Sequence, residues 1–227
     1  MSFWENKIYS KGLHLNRYPY DEVVSFIFNH YDQTCEKKDQ TVLEIGCGAG
    51  NNLLFAAREG FQVMGIDISK TAIEYCKNQL INEGLKGDFI TKNFTEVEIK
   101  ENSIDLAIDR AAICCVRLAL QKETLDRLFL ALKPNGYLLL TPYSQKHYSY
   151  DPSLALHGGF MAEVSGGSLA GLEGINFNNK SSLESITDRK KWSILAFEEI
   201  VHYDRLNKNS ANSARWHVVL KKLDRYG

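Results

Sequence analysis

Up to residue 140 the chain alternates short continuous apolar runs with amphipathic segments. The runs are residues 41–45, Gln62 to Asp67, Asp88 to Thr91, Ile104 to Asp109 and Tyr137 to Leu140. Runs of this length without polar alternation predict strands covered on both faces. Between them lie helical patterns. Pro19 suits a first helical turn, with Val23, Val24, Ile27, Phe28 and Tyr31 on one face through about Asp32. A second helix is predicted from about Asn52 to Glu59, closed by Gly60. Ser69 caps a third, whose apolar face holds Ile73, Cys76 and Leu80. A fourth carries Leu125, Leu128, Phe129 and Leu132, before a turn at Pro134-Asn135-Gly136. Strand alternating with helix predicts a parallel sheet between helical layers.

The rhythm fails at both ends of this region. Residues 1–18 are aromatic and basic without clean periodicity, and 33–40 read as a polar loop. His157 to Gly174 holds six glycines and few large apolar residues, which predicts a mobile loop or lid. Two long β-like runs close the chain, Trp192 to Arg205 and Arg215 to Lys222, with Leu206 to Ala214 as the hairpin loop between them. One domain over 1–227 is expected, with an N-terminal arm and helix at 1–32 and an insertion at 143–190.

Composition narrows the partners. Apolar residues are 44%, charged residues 24% and the net charge is −1. No global basic field draws the chain to nucleic acid or anionic membrane. There is no apolar h-region at the start and no run of membrane-spanning length. Five cysteines without C-x-x-C spacing point to free thiols in a reducing compartment, and hence to the cytoplasm. Cys114 and Cys115 sit in an apolar run and read as small core side chains. No metal is expected.

Candidate chemistry concentrates at Glu44-Ile45-Gly46-Cys47-Gly48-Ala49-Gly50-Asn51-Asn52, where a strand ends in an acidic residue and three alternate glycines lead into a helix. Glycine permits φ > 0 and close approach of a ligand to the backbone. The start of a helix adds unpaired N–H groups. A dinucleotide fingerprint needs a third glycine at 51, where Asn51 stands, and no G-K-[ST] follows to make a phosphate loop. An NAD-dependent enzyme is therefore disfavoured.

The acidic-x-G-x-G-x-G spacing resembles motif I of the class I S-adenosylmethionine-dependent methyltransferases. Asp67 at the end of the second strand resembles the family's ribose-binding acid, whose two oxygens suit a vicinal diol. Ile68 then flanks adenine. Asn93-Phe94 stands where the family more often has Asp and an apolar residue at the adenine. Asn102-Ser103-Ile104-Asp105-Leu106 and Leu132-Lys133-Pro134-Asn135-Gly136 are similar to the family's segments around strands four and five. The resemblance covers about residues 41–141. It implies a Rossmann-like α/β sheet of seven strands, mostly parallel, with strand seven inserted antiparallel and helices on both faces. It also implies S-adenosylmethionine as methyl donor, with S-adenosylhomocysteine released. Glu44, Gly46, Cys47, Gly48, Gly50, Asn51, Asn52, Asp67, Ile68, Asn93, Phe94, Asp109 and Arg110 are its implied cofactor residues.

The acceptor is less legible. Asp109-Arg110-Ala111-Ala112 is not the signature of nucleobase amine methylases, and no Pro-Cys nucleophile is present. A small-molecule acceptor is expected, without nucleic acid or membrane. Asn16 to Asp21 looks like methyltransferases of bacterial surface-polysaccharide synthesis. That favours O-methylation of a sugar or of a phosphorylated or phosphoramidate precursor. N- or carboxyl-methylation of another metabolite, and donor binding without catalysis, stay open. His147, just past strand five, is the first candidate general base, followed by His14 and Tyr143. Arg17, Tyr18 and Lys146 are candidates to hold an anionic acceptor. Trp4, Tyr9 and Tyr18 are placed to cover the donor.

Overall fold

A computed structural model of the chain describes residues 3–204 and 213–224. After a π-helical turn at Trp4–Ile8 and a 3-10 turn at Tyr9–Lys11 comes α1 (Asp21–His30). The core follows as β1 (Thr41–Ile45), α2 (Asn51–Arg58), β2 (Gln62–Asp67), α3 (Lys70–Asn82), β3 (Asp88–Thr91), β4 (Ile104–Asp109), α4 (Leu118–Ala131) and β5 (Leu132–Leu140). The insertion holds β6 (Phe160–Glu163), β7 (Glu173–Asn176) and α5 (Lys180–Ile186), and the chain closes with β8 (Trp192–His202) and β9 (Ser213–Lys222).

Seven strands form one sheet in the order β3-β2-β1-β4-β5-β9-β8. β1 to β5 pair in parallel, and β9 runs antiparallel to both β5 and β8. The sheet is therefore Rossmann-like, with its antiparallel strand inserted beside β5. β1 lies between β2 and β4, so the chain leaves it on one side and returns on the other. In an open parallel sheet such a reversal opens a crevice at the carboxyl ends of the strands. The glycine turn after β1 lies there.

Alternate strand residues feed two apolar layers. Leu43 and Ile45 pack with Leu125, Leu128 and Phe129 of α4 on one face. Val42, Leu106 and Ile108 pack with α1, α2 and α3 on the other. Each fully buried Leu or Ile contributes roughly 1.5–3 kcal/mol, enough collectively to hold the crevice rigid.

Several predicted boundaries shift. Tyr20 is the N-cap of α1, so Pro19 precedes the helix rather than opening it. The buried face is Val23, Phe26 and Ile27, while Val24 and Phe28 are half-buried. Leu132 begins β5 instead of ending α4. The predicted turn at 134–136 is a bulge within β5: Ile104 pairs with Leu132, and Leu106 with Tyr137. Lys133 Nζ reaches the Asp105 carboxylate at 2.8 Å across that bulge. Most of the hairpin loop predicted between the last strands falls at 205–212, outside the described residues.

The largest correction concerns the predicted mobile loop. β6 and β7 pair antiparallel there, and Met161, Val164, Ile175 and Phe177 form a small core of their own. Glycine serves close packing: a Cβ on Gly159 would stand 2.2 Å from the Phe177 carbonyl oxygen. Four apolar side chains suffice because the hairpin leans on the turn after β4.

Candidate functional site

The turn after β1 is held open by backbone geometry. Gly46, Gly48 and Gly50 have φ of 61°, 53° and 77°. A Cβ on Gly46 would fall 2.2 Å from Ala112 Cβ, and one on Gly48 would fall 2.3 Å from the Tyr9 hydroxyl. Asp67 reaches across from β2. Its Oδ2 accepts the Gly48 N–H at 2.8 Å, and its Oδ1 accepts the Ser69 N–H at 2.8 Å. Each oxygen keeps a second lone pair for another donor. Burial pushes the Asp67 carboxyl up, and the two N–H bonds oppose that.

Glu44, the penultimate residue of β1, lies beneath this turn, 2% exposed. Its Oε1 accepts from Asn52 Nδ2 at 2.7 Å, and its Oε2 is buried without a hydrogen-bond partner. Burial pushes the carboxyl up to about 8 against the pull of the Asn52 amide. An orphaned buried carboxylate oxygen is costly and marks a place for a cationic or protic ligand.

The N-terminal segment roofs the turn and is clasped at two points. Glu5 accepts from Ser69 Oγ at 2.5 Å and from Thr71 Oγ1 at 2.6 Å at the start of α3. Asn51 Nδ2 donates to the Tyr18 carbonyl at 2.8 Å, and the Tyr20 N–H donates to Asn52 Oδ1 at 3.0 Å. The two asparagines thus tie the arm to α2 rather than cap the helix. Phe3 and Trp4, just before the first clasp, and Tyr9 and His14, between the two, line a cavity of about 470 Å³.

That cavity has two ends. Glu44, Gly46, Cys47, Gly48, Asn51, Asn52, Asp67, Ile68, Asn93 and Phe94 line the first. The second is walled by Tyr20, Arg110, Cys115 and Tyr143, and by Glu173 and Gly174 of β7. Arg110 is turned toward α1, its Nε 2.7 Å from Glu22 Oε1 and its guanidinium 4.1 Å over the Tyr20 ring. Arg215 shares the same Glu22 oxygen at 3.3 Å.

A family model described as a methyltransferase domain matches residues 36–198. The chain belongs to this methyltransferase-domain family. It is 31% identical over 112 residues to EEF1A lysine methyltransferase 2 of Danio rerio, covering 46% of this chain and 48% of that one. It is 31% identical over 124 residues to phosphoethanolamine N-methyltransferase 3 of Arabidopsis thaliana, covering 53% and 24%. The chain spans about half or less of the length of the curated relatives it matches. Its fold is similar to a SAM-dependent methyltransferase of Methanosarcina mazei, with a TM-score of 0.70 and 21% identity over 91% of this chain and 99% of that one.

The first end of the cavity fits S-adenosylmethionine, the methyl donor that the sequence resemblance implies. The orphaned Glu44 oxygen suits an ammonium, the spare lone pairs of Asp67 suit a ribose diol, and Ile68 and Phe94 offer apolar flanks to a base. Asn93 is partly committed, since its side-chain oxygen accepts the Thr95 N–H at 3.1 Å.

Six residues expected at the methyltransferase site do not line the cavity. A Cβ on Gly50 would fall 2.0 Å from Cys76 Sγ, so that glycine serves packing of α2 against α3. Asp109 is fully buried behind the post-β4 turn. Its Oδ1 accepts the N–H groups of Ala112 at 3.0 Å and Ile113 at 2.6 Å, and burial raises its carboxyl to about 7. Arg17 is exposed beside Tyr18, whose ring is itself 74% exposed. Lys146 is exposed and paired with Glu199. His147 is 3% exposed, stacked on Tyr148 and packed against Tyr143 and Phe177. Its Nδ1 accepts the Ser149 N–H at 3.1 Å, and burial depresses it to about 4. The ring thus lies behind Tyr143 rather than on the cavity wall.

Other residues escaped sequence reading. Asn16 belongs to the segment 1–18 without helical period, and Tyr20 to the start of the predicted first helix, off its apolar face. Glu173 and Gly174 lay in the stretch taken for a lid. Cys115 was expected in the core and is half-buried at the cavity wall, while Cys114 is buried as expected. The signal available for the arm was its density of aromatic residues.

Proposed function

We propose that the chain, as a single domain with its arm and insertion, transfers the methyl group of S-adenosylmethionine to a small polar acceptor. The supporting observation is the shared cavity: donor-binding and acceptor-facing groups line one volume of about 470 Å³, within the usual range for small-molecule sites. Bound there, S-adenosylmethionine would supply a methyl group activated by its sulfonium: an acceptor lone pair would bond to the methyl carbon in line as the C–S bond breaks toward sulfur, and S-adenosylhomocysteine would be the leaving group. Asp67 and the glycine turn orient the donor's ribose and methionine. Glu44 opposes its ammonium. The arm residues Trp4 and Tyr9 exclude water from the reacting centre. Holding two reactants aligned is the main catalytic contribution such a site makes.

A nitrogen acceptor suits this cavity better than the phosphorylated sugar hydroxyl considered from sequence. A hydroxyl needs a base to take its proton, whereas a neutral amine attacks with its own lone pair. His147 lies outside the cavity, and burial holds the Tyr143 hydroxyl protonated, so Tyr143 acts as a hydrogen-bond donor. His14 remains as a candidate base for the oxygen reading. Arg17 and Lys146, the expected anion holders, are elsewhere. Both relatives named above carry nitrogen acceptors in their names, which supports the same choice. Nucleic acid is not proposed as a partner. All five cysteines are free, which supports the proposed cytoplasmic location.

The test is a homocysteine-release assay on a panel of small amines, sugar phosphates and carboxylates. Turnover on an amine supports the nitrogen reading. Turnover confined to sugar hydroxyls restores the surface-glycan reading. Donor binding with no turnover on any pool points to a non-catalytic binding protein.

A further inference from the structure

The second end of the cavity carries a distinct arrangement of charge. Arg110 is the cation among the non-histidine side chains that line it, and that guanidinium is already matched to Glu22 and stacked over Tyr20. Its aromatic walls are Tyr20 and Tyr143. The insertion brings one carboxylate to this end, Glu173 at the first position of β7. Glu173 stands directly opposite Glu163 of β6 in the antiparallel register, and both are exposed. Like charges directly opposite on neighbouring strands are destabilising, and a cation beside them relieves the repulsion.

Building on the methyl-transfer reading, we propose that Glu173 is a specificity-determining residue that recognises a cationic group of the acceptor, separate from its reacting neutral nitrogen, between the aromatic walls of the cavity. The hairpin delivers it there. Gly174, next in the strand, has φ of 70°, and a Cβ on it would lie 3.9 Å from the Cys115 carbonyl, so β7 runs close along the post-β4 turn. Aromatic faces attract ammonium groups through the ring quadrupole, and the carboxylate adds a charge-assisted hydrogen bond. An anionic acceptor meets the reverse: Glu173 repels it, and the charge of Arg110 is already balanced by Glu22.

Calorimetric titration of the protein with S-adenosylhomocysteine, then with ethylammonium chloride or methyl phosphate, tests this without knowledge of the natural acceptor. The expected result is ethylammonium binding that Glu173→Gln weakens at least five-fold, with S-adenosylhomocysteine affinity unchanged in that variant. Absence of ethylammonium binding, or equal binding by Glu173→Gln, overturns the proposal. Methyl phosphate binding in place of ethylammonium overturns it too, and directs attention to the Arg110–Arg215 pair that shares Glu22. Failure of S-adenosylhomocysteine to bind the wild-type protein instead overturns the methyl-transfer reading, which separates the two failures.

Discussion

The Asp67 carboxylate accepts the backbone N–H of Gly48 at 2.8 Å, which makes the acidic end of β2 and the glycine turn after β1 a single unit. One side chain therefore shapes the turn and presents oxygens to the donor. Asp67→Asn keeps the size of the side chain and loses its charge. A charge-assisted hydrogen bond is worth about 1.5–3 kcal/mol, so the variant is expected to bind S-adenosylmethionine at least about ten-fold more weakly by titration calorimetry. Unchanged affinity would remove Asp67 from the donor site.

Donor affinity should depend on pH through Glu44. Its carboxyl is raised to about 8 by burial, so at pH 6–7 the donor-free protein holds a proton there. Binding an ammonium favours the ionised form, and the proton must leave. Affinity for S-adenosylhomocysteine should therefore rise from pH 6 to 8, by up to about ten-fold per unit. Glu44→Gln should flatten the profile. A wild-type affinity independent of pH would count against ion pairing at Glu44.

The arm clasp should govern donor exchange. Thr71→Val removes the Thr71 Oγ1–Glu5 bond of 2.6 Å and leaves the Ser69 cap of α3 intact. Donor dissociation, followed by stopped-flow tryptophan fluorescence, is expected to accelerate by about three- to ten-fold, in keeping with one hydrogen bond to a charged group at a solvated site. Turnover at saturating donor should change little. An unchanged dissociation rate would mean that the clasp does not control the roof.

Gly50→Ala should destabilise the fold without acting on the ligand directly. A left-handed φ costs a non-glycine residue about 1–2 kcal/mol, and overpacking against Cys76 adds about 1–3 kcal/mol. The melting temperature should fall by roughly 5–15 °C. Adding Cys76→Ala should recover only part of the packing loss, because the residue 76 Cβ would still stand 2.9 Å from the new methyl. Gly60→Ala is the control: its φ is 95°, but the nearest atom to its Cβ would be 3.9 Å away, so only the backbone cost applies.

His147 should affect stability in acid rather than catalysis. Its folded pKa, about 4, lies below the unfolded value of 6.5 because burial disfavours the charged ring. The folded protein thus binds fewer protons between these values. The stability involved is fully present above pH 6.5 and is lost as pH falls toward 4, by about 3 kcal/mol. His147→Asn should flatten this acid limb in urea titrations at pH 4 to 7, and turnover should stay within about two-fold. A large loss of turnover with normal donor binding would return His147 to the candidate bases.

The parallel half of the sheet was legible because its information is local. Runs such as Val42 to Ile45 and Ile104 to Asp109 are mainly apolar, with acids at or near their ends, and their bounds agree with β1 and β4 to within a residue. The Ser69 cap was equally local: its Oγ accepts the Ala72 N–H at 3.1 Å. The arm and the insertion were not legible, because what orders them is distant in sequence. Glu5 is held by Ser69 and Thr71, Tyr20 by Asn52, and β7 by the turn after β4. No window along the chain contains both partners.

By itself the sequence determined the layered α/β core, the glycine turn and the acid at the end of β2, since periodicity, φ > 0 and strand ends are properties of neighbouring residues. Only the tertiary structure decided which side chains face the cavity. It withdrew His147, Asp109, Arg17 and Lys146 from the site, turned Arg110 toward Glu22, and brought Glu173 in from a stretch that looked like a loose lid. The physical reason is that burial and long-range pairing, not residue type, set where a charge points and whether it is spent.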